Sequence, residues 1–292
     1  MLPSLLYLDR YRNEETRTYS KHSEYTEAEA RYQPGSEEKS FPIELYEVPK
    51  EELNIYTANP SEELADIYLA EDDALFCIHP QVLEGFPHEP YIQKLQNYRK
   101  LSTGIEVSPS SSTRTLYVNS IIPHALKVHF PFRISRYGRK MRDEVIEQAI
   151  NVSLEMEEGV EQMDESFAFL REVIGVSMPN LDPDTARPEN WGYLVRDMRP
   201  FPYVEENRQL IPGFALYGKD QFDKDVTPLL FDLIGSRDPL ETIIDKIMLP
   251  IVKHWVQCFK AFGFMLEPHG QNVLLEIDRD QNITRIVHRD LS

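Results

Sequence analysis

The sequence predicts an α+β fold in which antiparallel strands are combined with long helices. Residues 114–120 and 125–134 alternate apolar and polar side chains on either side of a short turn, and residues 273–277 and 283–288 repeat this pattern. Two such segments close together in sequence are typical of an antiparallel hairpin. Two longer segments place their apolar residues at helical intervals instead, which favours amphipathic helices.

Strand-like segments dominate the first half of the chain. Residues 41–59 place apolar side chains about two apart, and residues 74–79 form a short apolar run that ends at Pro80. Residues 91–102 are predicted to form a short helix or an edge strand. Residues 139–158 are predicted as the first long helix, because their apolar side chains share one face.

The second half contains the clearer helix. Residues 191–200 and 210–217 are strand candidates, and residues 239–264 carry apolar side chains at helical spacing. Gly263 is expected to end this helix, since glycine readily adopts the left-handed conformation of a helix C-terminus. The polar residues 278–282 form the tip of the last hairpin.

The length of 292 residues suggests two domains or one large one. We expect a polar N-terminal arm over residues 1–40, because residues 10–40 have almost no aliphatic side chains, which is typical of a surface arm or a partly disordered segment. Residues 41–190 and 191–292 are predicted to form two further parts.

The net charge excludes some function classes. Lys and Arg number 31 against 49 Asp and Glu, so 31 − 49 gives −18. This balance argues against binding to nucleic acid or anionic membranes. Cys77 and Cys258 lie in apolar runs, which indicates buried, reduced thiols. No apolar run approaches 18 residues and the start does not resemble a signal peptide, so we expect a cytoplasmic protein.

A first candidate site combines hydroxyls and cations. Ser112 and Thr115 flank Arg114 at the start of a predicted strand, with Lys127 and Arg139 further along the chain. Guanidinium groups bind phosphates and carboxylates with two hydrogen bonds, and lysine acts as a point charge. The pattern favours a polyphosphate or polycarboxylate site. The alternative is a serine-rich loop with its cations on a solvated surface.

A second candidate site lies around the last hairpin. His269 and Asn272 precede its first strand, and Asp290 follows its second. Asn and Asp supply the oxygen ligands that Mg²⁺ prefers beside phosphate. The layout is also similar to kinase-like phosphotransferases, in which an Asn and a later Asp hold the metals. The alternative is a glycine turn with a capping histidine.

A histidine ends the predicted strand at residues 74–79. His79 precedes Pro80 and Gln81 and would face any cleft beside that strand. A functional histidine facing that cleft, a weak metal site without zinc-like spacing, and an ordinary buried histidine all remain open at this position.

These motifs together resemble the IucA/IucC-type siderophore synthetases, also called NRPS-independent siderophore synthetases. The elements that occur in the family's order are Ser112-Thr113-Arg114-Thr115, Lys127, Ile134-Ser135 with Arg139, His269-Gly270-Gln271-Asn272, and Arg289-Asp290. His79-Pro80-Gln81 is similar to the family's His-Pro-Trp-Gln element without its Trp. Val195-Arg196-Asp197 is similar to its Arg-Glu element.

The resemblance implies a cytosolic ligase that depends on ATP and Mg²⁺ and has a hand-like fold of fingers, thumb and palm. Such enzymes adenylate a carboxylate, often of citrate, and release pyrophosphate. An amine or hydroxyl then attacks the acyl adenylate. The expected partners are small-molecule carboxylates and amines or hydroxyls, and the resemblance allows a homodimer. It assigns residues 41–190 to a fingers- and thumb-like part and residues 191–292 to the start of a palm.

The resemblance also implies a role for each matching residue. The ATP-binding residues would be Ser112, Arg114, Thr115, Lys127, His269, Gln271 and Asn272. The residues that face the substrate carboxylate would be His79, Ser135 and Arg139. The metal ligands would be Asn272 and Asp290, and the catalytic residues would be Lys127, Arg139 and His269.

The chain departs from the family in length, since it is about half a typical member. We therefore expect an incomplete palm. Two alternatives stay open beside the ligase: a module that binds nucleotide or citrate without turnover, and a kinase-like phosphotransferase. The ligase hypothesis predicts that Arg114, Lys127, Arg139 and Asn272 converge on one cleft.

Overall fold

The computed structural model of the protein describes residues 3–16, 26–134, 137–181, 191–205 and 208–291. Its helices and strands confirm the α+β prediction with mostly antiparallel pairing. The helices are α1 Leu5–Tyr11, α2 Glu62–Tyr68, α3 Pro80–Gly85, α4 Pro90–Leu95, α5 Asp143–Glu158, α6 Leu229–Ile234 and α7 Leu249–Phe262.

Strands make up most of the remaining regular structure. They are β1 Phe41–Pro49, β2 Asn54–Thr57, β3 Asp73–Ile78, β4 Arg99–Lys100, β5 Ile105–Pro109, β6 Thr115–Val118, β7 His124–Val128, β8 Phe130–Ile134, β9 Tyr137–Arg139, β10 Phe167–Phe169, β11 Glu172–Ser177, β12 Gly192–Asp197, β13 Gln209–Pro212, β14 Val273–Ile277 and β15 Ile283–His288.

The described chain divides into two compact units. The nine-strand unit comprises His22–Ser153 and Glu172–Met198, and the four-strand unit comprises Met1–Lys21, Leu154–Arg171 and Arg199–Leu291. Each unit is built from separate stretches of chain. The finer division into residues 1–40, 41–190 and 191–292 stays a prediction.

In the nine-strand unit, the described strands form one sheet in the order β2-β11-β12-β7-β6-β5-β1-β3, and β4 also pairs with β1. The hairpin of β6 and β7 lies in the middle, where Leu116 pairs with Leu126. Both side chains are fully buried in the unit's apolar core, together with Val107 and Val195. The sequence-predicted hairpin is therefore the centre of a buried sheet.

In the four-strand unit, the described strands form a sheet in the order β10-β15-β14-β13. β14 and β15 are the predicted antiparallel hairpin, whereas β10 runs parallel to β15. Leu275 and Ile286 from this sheet pack with Phe214 and with Leu8 of α1. The N-terminal helix is thus part of the core of this unit.

Several side chains of the polar segment 1–40 are buried rather than exposed. Arg10, Arg12 and Tyr11 are buried, and Tyr32 packs into the nine-strand core. Arg12 lies 3.7 Å from a carboxylate oxygen of Asp220. Polarity did not mean exposure here, because the charged side chains have partners inside the protein.

The long helix predicted over residues 239–264 has two parts. Glu241–Met248 is π-helical and leads directly into α7. Pro250, in the first turn of α7, has no N–H to donate, so the regular hydrogen-bond ladder cannot run through this point. Gly263 ends the helix with φ of +77°, as predicted. Among the described residues, no helix combines the length and hydropathy needed to cross a bilayer.

Candidate functional site

The serine-rich loop between β5 and β6 is held by its own hydrogen bonds. Ser110 donates its N–H to the carbonyl of Thr115 at 2.8 Å, and Thr113 donates to the carbonyl of Ser110 at 2.9 Å. The Ser112 hydroxyl accepts from the N–H of Thr115 at 3.3 Å and contacts the Ser110 hydroxyl at 2.9 Å. Ser112 therefore shapes the loop, and its hydroxyl is partly occupied by that task.

Arg114 follows this loop and is half-buried. One of its terminal nitrogens lies 3.2 Å from the sulfur of Met141. A thioether is a weak acceptor, so this contact orients the guanidinium. The loop thus presents a positioned cation at the start of β6.

Lys127 lies beside Thr115 in the sheet. The two residues are direct partners in the antiparallel pair of β6 and β7. Directly opposed side chains stand on the same face with Cβ atoms about 4.5–5.5 Å apart. Both residues are largely buried. The structure therefore brings together two of the residues that the sequence assigned to phosphate.

Arg139 lies in β9, not at the start of a helix as predicted, because α5 begins at Asp143. It is exposed, and it precedes Met141 by two residues. The N–H of Met141 donates to Nδ1 of His129 at 3.1 Å, while its sulfur contacts Arg114. Arg139 thus belongs to a segment that is anchored beside Arg114.

His79 is fully buried and caps α3, with Nδ1 accepting from the N–H of Gln81 at 3.1 Å. The rings of Tyr32, Phe41 and Phe130 lie within 5.2 Å of the imidazole, centroid to centroid. Burial lowers the pKa of His79 to about 3, so the ring is neutral. Its Nε2 has no hydrogen-bond partner among the described residues.

The ring of His79 does not reach the surface. Its contact with a substrate carboxylate stays a prediction. Ser135, assigned to the same substrate, lies outside the described residues.

The loop before β14 carries an exposed histidine. Nδ1 of His269 accepts the N–H of Gln271 at 3.2 Å. A neutral imidazole that accepts at Nδ1 carries its proton on Nε2 and can donate it to an anion. Gly270 accepts from the N–H of Phe214 at 2.9 Å, and a Cβ at Gly270 would meet that nitrogen at 3.1 Å. The glycine therefore allows this close approach.

Asn272 and Asp290 lie at the same end of the last hairpin. Asn272 precedes β14, and its carbonyl accepts the N–H of Arg289 at 2.9 Å. Asn272 is 6% exposed and Asp290 is half-buried. Among the described residues, no group of three or more His, Cys, Asp and Glu could hold a metal. The two oxygen donors fit Mg²⁺, which keeps waters and phosphate oxygens as its other ligands.

Arg196, from the predicted Arg-Glu element, forms a buried internal ion pair. Its Nε donates to Oε1 of Glu172 at 3.0 Å, and both side chains lie inside the nine-strand unit. This placement gives Arg196 a structural partner on the neighbouring strand.

A groove of about 1360 Å³ lies within the four-strand unit, away from the candidate residues. Its lining includes Val252 and Val256 of α7 and Thr284 and Ile286 of β15. None of the site residues predicted from the sequence lines it.

Sequence reasoning missed one residue at the last hairpin. Asp9 of α1 is fully buried, and its Oδ2 lies 3.1 Å from a terminal nitrogen of Arg289. No spacing in the sequence could reveal this pair, because 280 residues separate its members.

Comparison with known proteins assigns this architecture to a family. The sequence model of the IucA / IucC family matches residues 19–218, more than half of the chain. The first candidate site, from Ser112 to Arg139, lies inside this match. The second, from His269 to Asp290, lies beyond it. A search of curated proteins finds no match.

Solved structures extend the likeness over the whole chain. The petrobactin biosynthesis protein AsbB from Bacillus anthracis str. Sterne has a TM-score of 0.78 at 18% identity, covering 100% of this chain and 53% of AsbB. The aerobactin synthetase IucC from a hypervirulent pathotype of Klebsiella pneumoniae has a TM-score of 0.72 at 17% identity, covering 99% of this chain and 55% of IucC.

A third structure, ATP-bound aerobactin synthetase IucA from the same pathotype, has a TM-score of 0.70 at 14% identity, covering 92% of this chain and 52% of IucA. At such identities the likeness concerns the fold. The chain spans about half the length of these solved structures. The match over residues 19–218 and the shared α+β fold lead to one conclusion: the chain belongs to the IucA / IucC family.

Proposed function

We propose that this protein takes part in siderophore biosynthesis as an ATP- and Mg²⁺-dependent ligase that adenylates a carboxylate of citrate or a citrate derivative. In this reaction a carboxylate oxygen attacks the α-phosphorus of ATP, and the bond to the bridging oxygen breaks to release pyrophosphate. An amine or hydroxyl then attacks the acyl carbon, and AMP leaves.

The observation that carries the proposal is the cationic site on β6 and β7. Attack of a carboxylate on a triphosphate brings anions together, so the protein must supply positive charge at the phosphates. Arg114 and Lys127 are positioned cations in a chain of net charge −18. Thr115 adds a hydroxyl on the same strand pair. We assign these residues to the triphosphate and Arg139 to the acid.

The second constellation is assigned to phosphate and metal. His269 can donate from Nε2, and Asn272 and Asp290 offer oxygen ligands for Mg²⁺. A bound Mg²⁺ would neutralise charge on the phosphates. ATP use also agrees with the name of one structural relative, an ATP-bound aerobactin synthetase.

A binding module without turnover is the second candidate. The chain covers only 53% of AsbB and 55% of IucC, so those proteins contain parts that have no counterpart in this chain. If turnover needs those parts, this chain would bind nucleotide or citrate only.

Product analysis tests the proposal. The purified chain is incubated with ATP, Mg²⁺, citrate and hydroxylamine, which traps acyl adenylates without requiring the natural amine. Citrate-dependent formation of AMP, pyrophosphate and a hydroxamate is the expected result. ADP as the product would instead indicate a phosphotransferase, and ATP binding without any product would indicate the binding module.

The proposed reaction also sets the expected surroundings of the protein. ATP and citrate are metabolites of the cell interior, so the proposal includes a cytoplasmic location. The proposed partners are the small-molecule acid and its amine or hydroxyl acceptor, with a homodimer as the proposed assembly.

A further inference from the structure

The N-terminal helix contributes a buried carboxylate to the candidate metal and phosphate loop. Asp9 is 0% exposed and Arg289 is 5% exposed, so their ion pair is shielded from water. One terminal nitrogen of Arg289 lies 3.1 Å from Oδ2 of Asp9. Breaking a buried ion pair by removing one of its members is typically strongly destabilising.

The same arginine also holds the loop before β14. Its Nε donates to the carbonyl of Gln271 at 2.7 Å, and its backbone N–H donates to the carbonyl of Asn272 at 2.9 Å. Asp290 is the next residue along the chain. Arg289 therefore links Asp9 to the loop that carries Gln271 and Asn272. It also directly precedes Asp290, the other proposed metal ligand.

The helix that carries Asp9 is itself fixed by other contacts. Leu8 is fully buried beside Phe214 and Ile211 in the core of the four-strand unit. The Ser4 hydroxyl caps the start of the helix by accepting the backbone N–H of Tyr7 at 3.3 Å. Asp9 thus sits on an anchored element, so its carboxylate can act as a fixed point for Arg289.

We propose that Asp9 is a positioning residue for the nucleotide site, acting through Arg289 on the loop of His269, Gln271 and Asn272. The role of this loop in binding ATP rests on the proposed function. Residues that hydrogen-bond to a metal-ligating group fix its orientation, and their loss typically weakens metal affinity or activity about 10–100-fold. Asp9 touches neither ATP nor metal in this assignment.

The test compares two variants of Asp9 with a matched control. Asp9→Ala removes the carboxylate, and Asp9→Asn keeps its shape while it removes the negative charge that faces Arg289. Tyr7→Phe removes a hydrogen bond of the same helix to Asp220, a residue outside the loop. Amide hydrogen exchange of residues 271–273 is measured without ligand, and the dissociation constant of ATP with Mg²⁺ is measured separately.

We expect faster exchange at residues 271–273 in both Asp9 variants, with ATP binding about tenfold weaker in Asp9→Asn and up to about 100-fold weaker in Asp9→Ala. Tyr7→Phe should leave both readouts unchanged even if it lowers the melting temperature. A merely structural role for Asp9 would lower the melting temperature without this local pattern.

The outcomes separate this proposal from the proposed function. If the unaltered protein binds no ATP, the proposed function fails, while the exchange data still decide whether Asp9 holds the loop. If ATP binds and Asp9→Asn changes neither exchange nor affinity, the positioning role is overturned, whether or not Asp9→Ala folds.

Discussion

The two candidate constellations are supported in different ways. Arg114, Thr115 and Lys127 lie on or beside neighbouring strands in the middle of a nine-strand sheet, whose Leu116 and Leu126 belong to a large apolar core. His269 and Asn272 lie on a loop that is held by backbone hydrogen bonds and by Arg289. The cationic site is therefore fixed by a sheet, whereas the candidate metal site depends on a few specific polar contacts.

This difference predicts different failures. Substitutions that remove buried apolar side chains of the sheet should unfold the unit that carries it, because these side chains belong to one apolar core. Damage to the loop should change ligand binding before it changes global stability.

The largest expected effect concerns the support of each site. Leu126→Ala in β7 should destabilise the protein by about 2–5 kcal/mol, because it removes a fully buried side chain next to Lys127. Met265→Ala, close before the His269 loop and 60% exposed, should change the free energy of unfolding by less than about 0.5 kcal/mol. Urea denaturation measures both, and equal losses would refute the contrast.

Acid should weaken both units. Burial lowers the pKa of His79 to about 3 and that of His254, on α7, to about 4. The unfolded histidines have a pKa near 6.5, so the unfolded state binds more protons below that pH. The stabilising contribution of the neutral rings is complete above pH 6.5 and is lost as pH falls toward 4 for His254 and 3 for His79.

The loss should reach roughly 3 kcal/mol per histidine, since one pKa unit is worth about 1.4 kcal/mol. Chemical denaturation between pH 7 and pH 4 measures it. His79→Phe and His254→Phe should each flatten the curve, and a curve that both variants leave unchanged would contradict this cause.

Arg114→Ala tests the sheet-supported cation. Loss of its charge-assisted contact should lower kcat/KM for ATP by about one to two decades, equivalent to about 1.5–3 kcal/mol. Arg114→Lys should recover only part of this loss, because lysine lacks the planar fork. Arg99→Ala is the control, since that side chain is 74% exposed and pairs with Glu47 in the same unit. Steady-state kinetics with varied ATP provide the measurement.

The smallest effect is expected from Asn272→Ala. Loss of one metal ligand should raise the Mg²⁺ requirement about tenfold, with partial rescue by excess Mg²⁺. Asn282→Ala is the matched control at the opposite end of the same hairpin, where Asn282 bonds to Asp278. A Mg²⁺ titration measures both variants, and an identical requirement would remove Asn272 from the metal site.

The sequence predicted both hairpins because their information is local. In β6 and β7, and again in β14 and β15, apolar alternation and a short turn lie within about 20 residues. The fold class and the neighbourhood of Thr115 and Lys127 followed from this pattern. The end of the long helix at Gly263 was equally local.

The remaining features depend on contacts that local patterns do not encode. Arg139 was assigned to a helix, but it pairs across β8 and β9. The parallel pairing of β10 with β15 joins segments more than 100 residues apart. Arg289, which bonds to the buried Asp9, lies at the other end of the chain. The common site of Arg114, Lys127, Arg139 and Asn272 stays a prediction.

Exchange of labelled pyrophosphate into ATP tests the central claim most directly, because it reports the adenylation half-reaction without the unknown amine. We predict exchange that depends on citrate and Mg²⁺ in the unaltered chain and falls at least tenfold in Arg114→Ala and Asn272→Ala. Exchange that is unchanged in both variants would show that the ATP site lies elsewhere. Absence of exchange in a chain that binds ATP would contradict the ligase and leave the binding module.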